Sequence, residues 1–503
     1  ANLQVTRLDG RVVQKPVVIQ VQLFMADYLQ KSVLFYDCTP QWVYQQMGNR
    51  PTADGRLVGH VLTSGNKTAV IPAYDSEAWR AAHDAMVRAL GERYRDHPQV
   101  HAVMIRVGID GETQLAKTAS GVDWNTVAES TVPGIQTAFK KFCLNTMHLF
   151  REAFPNNAVY ISNAAGLRWE TSNLAAQISP PIGLHNGGLD FDNENWWGYG
   201  AKVGLFTMYE TYSNTVPIWL ETRYGLGNDE SRYWTYIAAL HLHPDAVDVH
   251  QEFITQVDPA ILRFVTEHLG KTIYDTPDVW VVLRDMEYAR VDWAVSGQSG
   301  KPGDWDYWLY RLDDAPGSRA VRIWKNEMPT AAQGHIYSRQ ARRTDQATGN
   351  PYISLNVDDR YPFAGQVPLS EPGGNVSYRV SLKILNRGSD TFSLEYLNYA
   401  GQLVRRTVRQ GPALGAADQW VDVDFTLTDA YLANNMPGGA DLRLSCDGDG
   451  DEIVHMIKVA GAWGIPPTVT PTPTWAPTNT PAPSPTATST PPPTALPAHM
   501  LLV

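Results

Sequence analysis

Two glutamates stand where apolar runs give way to turns. Val100 to Val107 is followed by Gly108-Ile109-Asp110-Gly111-Glu112-Thr113-Gln114, and Val216 to Leu220 by Glu221-Thr222-Arg223-Tyr224. Gly108 and Gly111 let the backbone turn sharply and present Glu112. If both runs are strands ending at one edge, the two carboxyl groups face one cleft. Such a pair suits cleavage of a glycosidic bond: one carboxyl stays protonated for the leaving oxygen, and the other attacks or stabilises the anomeric carbon. The plain alternative is two solvated or salt-bridged residues at strand ends. Glu210 in Met208-Tyr209-Glu210-Thr211-Tyr212 competes with Glu221. Val216 to Leu220 reads as a strand and Lys202 to Tyr212 as the helix before it, which favours Glu221.

Further polar and aromatic residues fall where a sugar cleft would need them. His185 and Asn186 follow an apolar run, and Asn163 follows another. Trp42, Trp219, Arg223 and Tyr224 are candidate substrate contacts. Asp190, Asp192 and Glu194 beside Trp196 and Trp197 offer acidic groups for hydroxyls next to stacking rings, or equally a solvated loop with packed tryptophans. His241, His243, Asp245, Asp248 and His250 suggest metal ligands, yet no H-E-x-x-H pattern is present. Asp447, Asp449 and Asp451 alternate with glycine in a way that suits a structural calcium; a tight acidic turn is the other reading. An EF-hand is excluded because its helical flanks are missing. Trp305-Asp306-Tyr307-Trp308-Leu309-Tyr310 is either a sugar-stacking face or core. Asn66-Lys67-Thr68 and Asn375-Val376-Ser377 are glycosylation sequons.

The elements that must position these residues change character along the chain. Over residues 1–272, short apolar runs alternate with helical patterns. Strands are expected at Val17 to Phe24, Val100 to Val107, Ala158 to Ser162, Pro181 to His185, Val216 to Glu221 and Asp245 to His250. Helices are expected at Asp75 to Arg95, with Asp75 as the cap, and at Gly134 to Phe154. This alternation predicts an α/β domain with a parallel sheet, of (β/α)8 TIM-type barrel scale. Only six strands are clear. Either the barrel is incomplete at its N-terminal side, or Ser32 to Tyr36 and Arg56 to Thr63 add irregular strands. Residues 273–464 lack long helical patterns. Strand-like runs at Val279 to Leu283, Ile336 to Arg342, Tyr352 to Val357, Val376 to Leu385, Thr391 to Tyr396, Trp420 to Leu427, Asp441 to Ser445 and Ile453 to Val459 predict an all-β sandwich of jelly-roll type. Residues 465–503 form a Pro/Thr-rich tail; 12 of the 34 prolines lie between Pro466 and Ala498. Such a run cannot bury a core and reads as an extended, disordered tether. It points to an extracellular or cell-surface setting.

Composition narrows the partners. The 503 residues carry 41 Lys and Arg against 52 Asp and Glu, a net charge of −11, with no basic cluster. Nucleic acid and anionic lipid are therefore poor partners. No apolar run reaches the roughly 18 residues of a membrane-spanning helix. Sixteen Trp and 23 Tyr suit a carbohydrate, the neutral ligand that most uses aromatic platforms. Cys38, Cys143 and Cys446 are too scattered for a zinc site or a disulfide scaffold. The first residues show no signal-peptide pattern, so such a peptide is absent or already removed.

Three stretches together carry a resemblance: Thr39-Pro40-Gln41-Trp42-Val43-Tyr44, Ala89 to Val100, and Gly108 to Glu112. They resemble clan-A glycoside hydrolases, nearest to the β-galactosidase-like barrels around family 42. The motifs cover about 80 residues. The resemblance implies that Glu112 is the general acid/base after the fourth barrel strand and Glu221 the nucleophile of the seventh. It implies retention of configuration, carbohydrate as partner and no cofactor for catalysis. It also places Val17 to Phe24 on the third barrel strand. The pattern departs at Gly111, where the clan carries Asn. Two functions follow as expectations: a secreted or surface-displayed retaining β-glycoside hydrolase, or a non-catalytic surface protein whose degenerate barrel binds glycans or assembles into a layer.

Overall fold

The structure, a computed structural model, describes residues 4–6, 12–14, 17–26, 35–52, 55–163, 166–189, 198–199, 202–203, 205–222, 229–249, 259–283, 304–312, 322–323, 341–361, 377–461 and 499–502. The chain divides into two compact units. One is Ala1–Leu189 with Thr207–Arg223; the other is Asp190–Phe206 with Tyr224–Val503. Residues 224–272 thus group with the sandwich, whereas the sequence pattern places the boundary near residue 272.

The first unit is built on five strands in parallel: β1 (Val17–Gln20), β2 (Val100–Ile105), β3 (Ala158–Ser162), β4 (Gly183–Leu189) and β5 (Ile218–Thr222). They lie side by side in chain order. Helices α1 (Glu77–Tyr94), α2 (Ile135–Ala153), α3 (Arg168–Gln177) and α4 (Leu205–Tyr212) make the crossovers. The result is an open parallel sheet. No closed eight-stranded ring is formed by the described residues of this unit. The two segments expected as irregular barrel strands lie elsewhere. Phe35–Asp37 pairs antiparallel with Phe24–Ala26, and His60–Ser64 pairs antiparallel with Lys67–Ile71. The reason is local in the second case: Gly65, at φ +59°, closes a two-residue hairpin turn.

Register explains why these runs are strands. Val103, Ile105, Val159, Ile161, Leu184, Ile218 and Leu220 share one face and are buried, as a side covered by helices requires. Helix α1 begins one residue later than expected. Ser76 accepts a hydrogen bond from the Trp79 amide at 3.3 Å, so Ser76 is the cap; Asp75 instead meets His60 Nε2 at 2.6 Å. Tyr74 and Phe142 each pack edge-to-face with Trp79 and tilted against each other.

The second unit holds α5 (Asp229–His241), a parallel pair of β6 (Ala246–Val249) with a C-terminal strand, α6 (Pro259–His268), and two antiparallel sheets. The first sheet contains β7 (Val279–Val282), β8 (Trp305–Tyr307), β10 (Arg342–Arg343), β12 (Tyr378–Asn386), β15 (Gln419–Leu427) and β17 (Ile453–Gly461). The second runs β9 (Leu309–Leu312), β11 (Tyr352–Val357), β16 (Leu442–Ser445), β13 (Thr391–Leu397) and β14 (Leu403–Arg409). The C-terminal strand, β18, is His499–Leu502. Strand β14 escapes sequence reading because its burial shows no clean alternation: it is an exposed edge rich in arginine. Most of Ile336 to Arg342 lies outside the described residues.

Trp305, Tyr307 and Trp308 are buried, which makes that aromatic cluster core and not a sugar-stacking face. Tyr307 stacks on Trp280 with centroids 5.1 Å apart and planes 5° off parallel. Across the second sheet, Glu395 is buried between two guanidinium groups, with Arg443 Nε at 2.5 Å and Arg405 Nε at 2.9 Å. Arg443 also lies 4.0 Å from the centroid of the Tyr352 ring.

One glycine fixes the sheet beneath the candidate site. A Cβ at Gly183 would lie 2.3 Å from Cδ1 of Tyr160, its neighbour across β3 and β4. Gly183→Ala is expected to lower stability by about 1–3 kcal/mol in urea unfolding. In a Tyr160→Ala background most of that loss should vanish. An equal cost in both backgrounds would contradict the packing described.

Candidate functional site

Strand alternation sets out a second, polar face. Gln20, Met104, Tyr160, Ser162, Gly183, His185 and Trp219 are register partners on that side. Arg106 continues it two residues beyond Met104 and donates from Nη1 to Gln20 Oε1 at 3.0 Å. Glu221 continues it two residues beyond Trp219. The helix-side face is mostly apolar; this face carries a guanidinium, an imidazole, an indole, a phenol and a carboxylate.

Glu221 lies in β5 and is half exposed. Its Oε2 is 3.9 Å from Nε2 of His185. Gly187 leaves the room for it, since a Cβ there would come within 2.9 Å of the same oxygen. His185 is buried, and its pKa is pushed down to about 3, chiefly by burial and secondarily by Arg106. The contact with Glu221 is therefore one between a neutral imidazole and a carboxylate, not an ion pair. Nδ1 of His185 and Nε1 of Trp219 are buried without a hydrogen-bond partner. Trp219 packs edge-on against Tyr160 at 5.3 Å and against His185 at 5.8 Å.

Glu112 sits in the turn after β2. Gly111 N donates to Gly108 O at 3.0 Å, Glu112 N to Ile109 O at 3.0 Å, and Gly108 N to Glu112 O at 2.9 Å. Asp110, at φ +52°, anchors the turn by accepting from the Ala26 amide at 2.8 Å. Gly111 has φ +82°, and a Cβ there would lie 2.3 Å from Nε of Arg106. The sequence departure at this position thus has a local cause, because the Arg106 side chain fills the space a side chain at 111 would need. The Glu112 carboxylate accepts from Nε2 of Gln114 and lies 3.9 Å from Nζ of Lys117. Burial pushes its pKa up, against the pull of Lys117, Gln114 and Arg106. Arg168 also feels the Glu112 charge. The Arg106 charge thus acts on both Glu112 and His185, and His185 lies beside Glu221.

The other predicted residues fall in different places. Asn163 is fully buried, and both ends of its amide are engaged. Nδ2 donates to Ser172 Oγ at 2.8 Å, and Oδ1 accepts from the Tyr209 hydroxyl at 2.8 Å. It ties α3 and α4 to the end of β3. Asn186 follows the alternation onto the helix side, beside the Tyr209 hydroxyl. Trp42 is exposed on the short helix Gln41–Gln46. Trp197, Arg223 and Tyr224 lie outside the described residues, as do Trp196, Asp190, Asp192 and Glu194. Glu210 is on α4, so Glu221 is the strand glutamate, as expected. Arg106 and Tyr160 were not singled out in the sequence; continuing the period-two pattern past Met104 would have found Arg106.

In the second unit five of the residues considered as metal ligands have contacts within the protein. His241 Nδ1 meets the Asp306 carbonyl at 2.9 Å, and His243 stacks on Trp308 at 4.1 Å. Asp447 accepts from Ser393 and Arg405. Asp449 accepts from the Thr391 amide at 3.0 Å, and Asp451 from the Gln346 amide at 3.0 Å. Asp447 and Asp449 thus fasten to β13 and β14, and Asp451 to the segment at Gln346.

No protein-family model matches the chain, and no curated protein matches it. Among solved structures, a β-glucuronidase of Bacteroides uniformis is 9% identical over 80% of this chain and 57% of its own, with a TM-score of 0.24. An endo-1,4-β-xylanase of Caldicellulosiruptor owensensis is 12% identical over 41% of this chain and 56% of its own, with a TM-score of 0.20. A carbohydrate-binding module of Cellvibrio mixtus lichenase 5A, in complex with cellotriose, is 12% identical over 30% of this chain and 95% of its own, with a TM-score of 0.18. No described helix is long and apolar enough to cross a membrane.

The depressed pKa of His185 gives a pH signature. Stability from keeping this ring neutral is fully present above about 6.5 and is lost as pH falls toward about 3. In an NMR titration the His185 ring should remain neutral at pH 5. His185→Gln should reduce the loss of stability between pH 6 and pH 4. A ring that titrates near 6.5 would contradict the burial described.

Proposed function

We propose that the first unit is a retaining glycoside hydrolase acting on β-glycosides. One observation carries this reading: a single polar sheet face bears Arg106, His185, Trp219 and Glu221 at its C-terminal edge, with Glu112 in the adjoining turn. Parallel α/β folds place their chemistry at that edge. The two carboxylates have unlike settings, and unlike settings separate an acid from a nucleophile. Burial favours the protonated form of Glu112, which suits proton donation to the leaving oxygen. Glu221 is half exposed beside a neutral imidazole and stays available for attack at the anomeric carbon. Glu112 then takes a proton from water as the glycosyl-enzyme is released. The unpartnered Nδ1 of His185 and Nε1 of Trp219 suit sugar hydroxyls. The Pro/Thr-rich tail supports a secreted or surface-displayed protein.

The second reading is a glycan-binding surface protein without turnover, favoured by a parallel sheet whose described strands close no ring. A panel of aryl β-glycosides separates the two. Glu112→Gln and Glu221→Gln are each expected to lower kcat/KM by about 10³-fold or more. Undiminished turnover in either variant would refute the assignment. Absent turnover in the parent protein, with glycan binding unchanged in both variants, would favour the second reading.

A further inference from the structure

The second unit holds a group of buried oxygens that its hydrogen bonds leave unsatisfied. Glu452, at the start of β17, is fully buried. Its Oε2 accepts from Thr344 Oγ1 at 3.2 Å, but Oε1 has no partner. Asp390, just before β13, reaches across to the same segment: a Cβ at Gly450 would lie 1.5 Å from Asp390 Oδ2. Asp390 Oδ1 is buried and also has no partner. Asp451 shares Thr344 Oγ1 with Glu452, at 3.3 Å. Asn350 belongs to the neighbouring loop, where Pro351 O accepts from Cys446 N at 3.0 Å, and its Oδ1 is a third buried oxygen without a partner. Buried polar atoms are almost always satisfied, and an unpaired buried carboxylate is costly. These buried acceptors lack donors on segments that the hydrogen bonds above tie together, and a buried carboxylate without a donor calls for a positive charge.

We infer that this corner of the sandwich binds a divalent cation, with Asp390 and Glu452 supplying carboxylate oxygens and Asn350 an amide oxygen. Hard oxygen ligands from loops and strand ends suit calcium. The Asp-Gly alternation of residues 447–451 then has a different use from the one its spacing suggests. Asp447 and Asp449 fasten the turn to β13 and β14, and Gly450, lacking a side chain, admits Asp390. Glu452 without a cation is held strongly toward its protonated form, at about 8, by burial first and by Asp390 next. A cation and a proton therefore compete for one place.

The inference concerns the second unit and does not depend on the hydrolase reading. Its test uses the full chain stripped with EDTA, calcium titrated calorimetrically, and Tm measured from pH 5 to pH 9. Calcium should bind at one site and raise the Tm of the sandwich transition by about 5 °C or more. Without calcium, stability should fall as pH rises from about 4.5 through about 8, because the raised pKa of Glu452 makes the folded state hold its proton longer. Calcium should flatten that fall. Glu452→Gln, which imitates the protonated carboxyl, should fold, lose calcium binding and lose the alkaline decline. Asp390→Asn should weaken binding at least tenfold and serves if Glu452→Gln does not fold. No calcium response in the parent protein, or an equal response in the folded variants, would overturn the inference and leave a proton shared between Asp390 and Glu452.

Discussion

The alternation of side chains along a parallel strand governs the first unit. Each strand must bury one face under helices, and the apolar series Val103, Ile105, Val159, Ile161, Leu184 and Leu220 meets that need. The same geometry obliges the intervening residues to share the other face. Arg106, Tyr160, His185, Trp219 and Glu221 are neighbours for that reason, although the first and the last lie 115 positions apart in the chain. A register slip of one residue would carry the charged groups into the helix layer, where they would be unpaired, and the apolar groups out of it. Packing and site are thus two consequences of one pattern.

The turn after β2 shows how closely site and scaffold are joined. Arg106 must pass Gly111 to reach Gln20, and Gly111 must be left-handed to return the chain for Glu112. Asp110 locks the same turn to Ala26. A glycine that departs from the expected pattern in the sequence is, in three dimensions, the space occupied by a guanidinium. His185 repeats the theme: its burial beside Trp219 keeps it neutral, so it shapes the surroundings of Glu221 without adding charge.

The sandwich solves a different problem. Its second sheet buries Glu395, but Arg443 and Arg405 meet both oxygens, and Tyr352 covers one guanidinium. Removing one partner from such a group leaves a buried charge, which costs far more than the intact set contributes. The corner around Glu452 has the same kind of acidic residue without the cationic partners, and that contrast within one unit is what marks it out.

The apolar runs and their breaks were enough to place Ala158–Ser162 and Tyr352–Val357 to the residue, and to choose the strand glutamate Glu221 over the helical Glu210, because hydrophobic periodicity is a local property of the chain. Edge strand β14 and the hairpin at His60–Ile71 were missed or misplaced, since an exposed edge has no alternation to read and a hairpin differs from a barrel strand only in its partner. The sequence by itself determined the two kinds of architecture, the Pro/Thr-rich tail and the two candidate carboxyl groups. Tertiary structure alone decided that Asn163 and Asn186 serve the helix side, that Arg106 joins the polar face, and that Asp390 lies against Gly450. Those relations arise from register and crossover, which bring together residues whose distance along the chain carries no record of their distance in space.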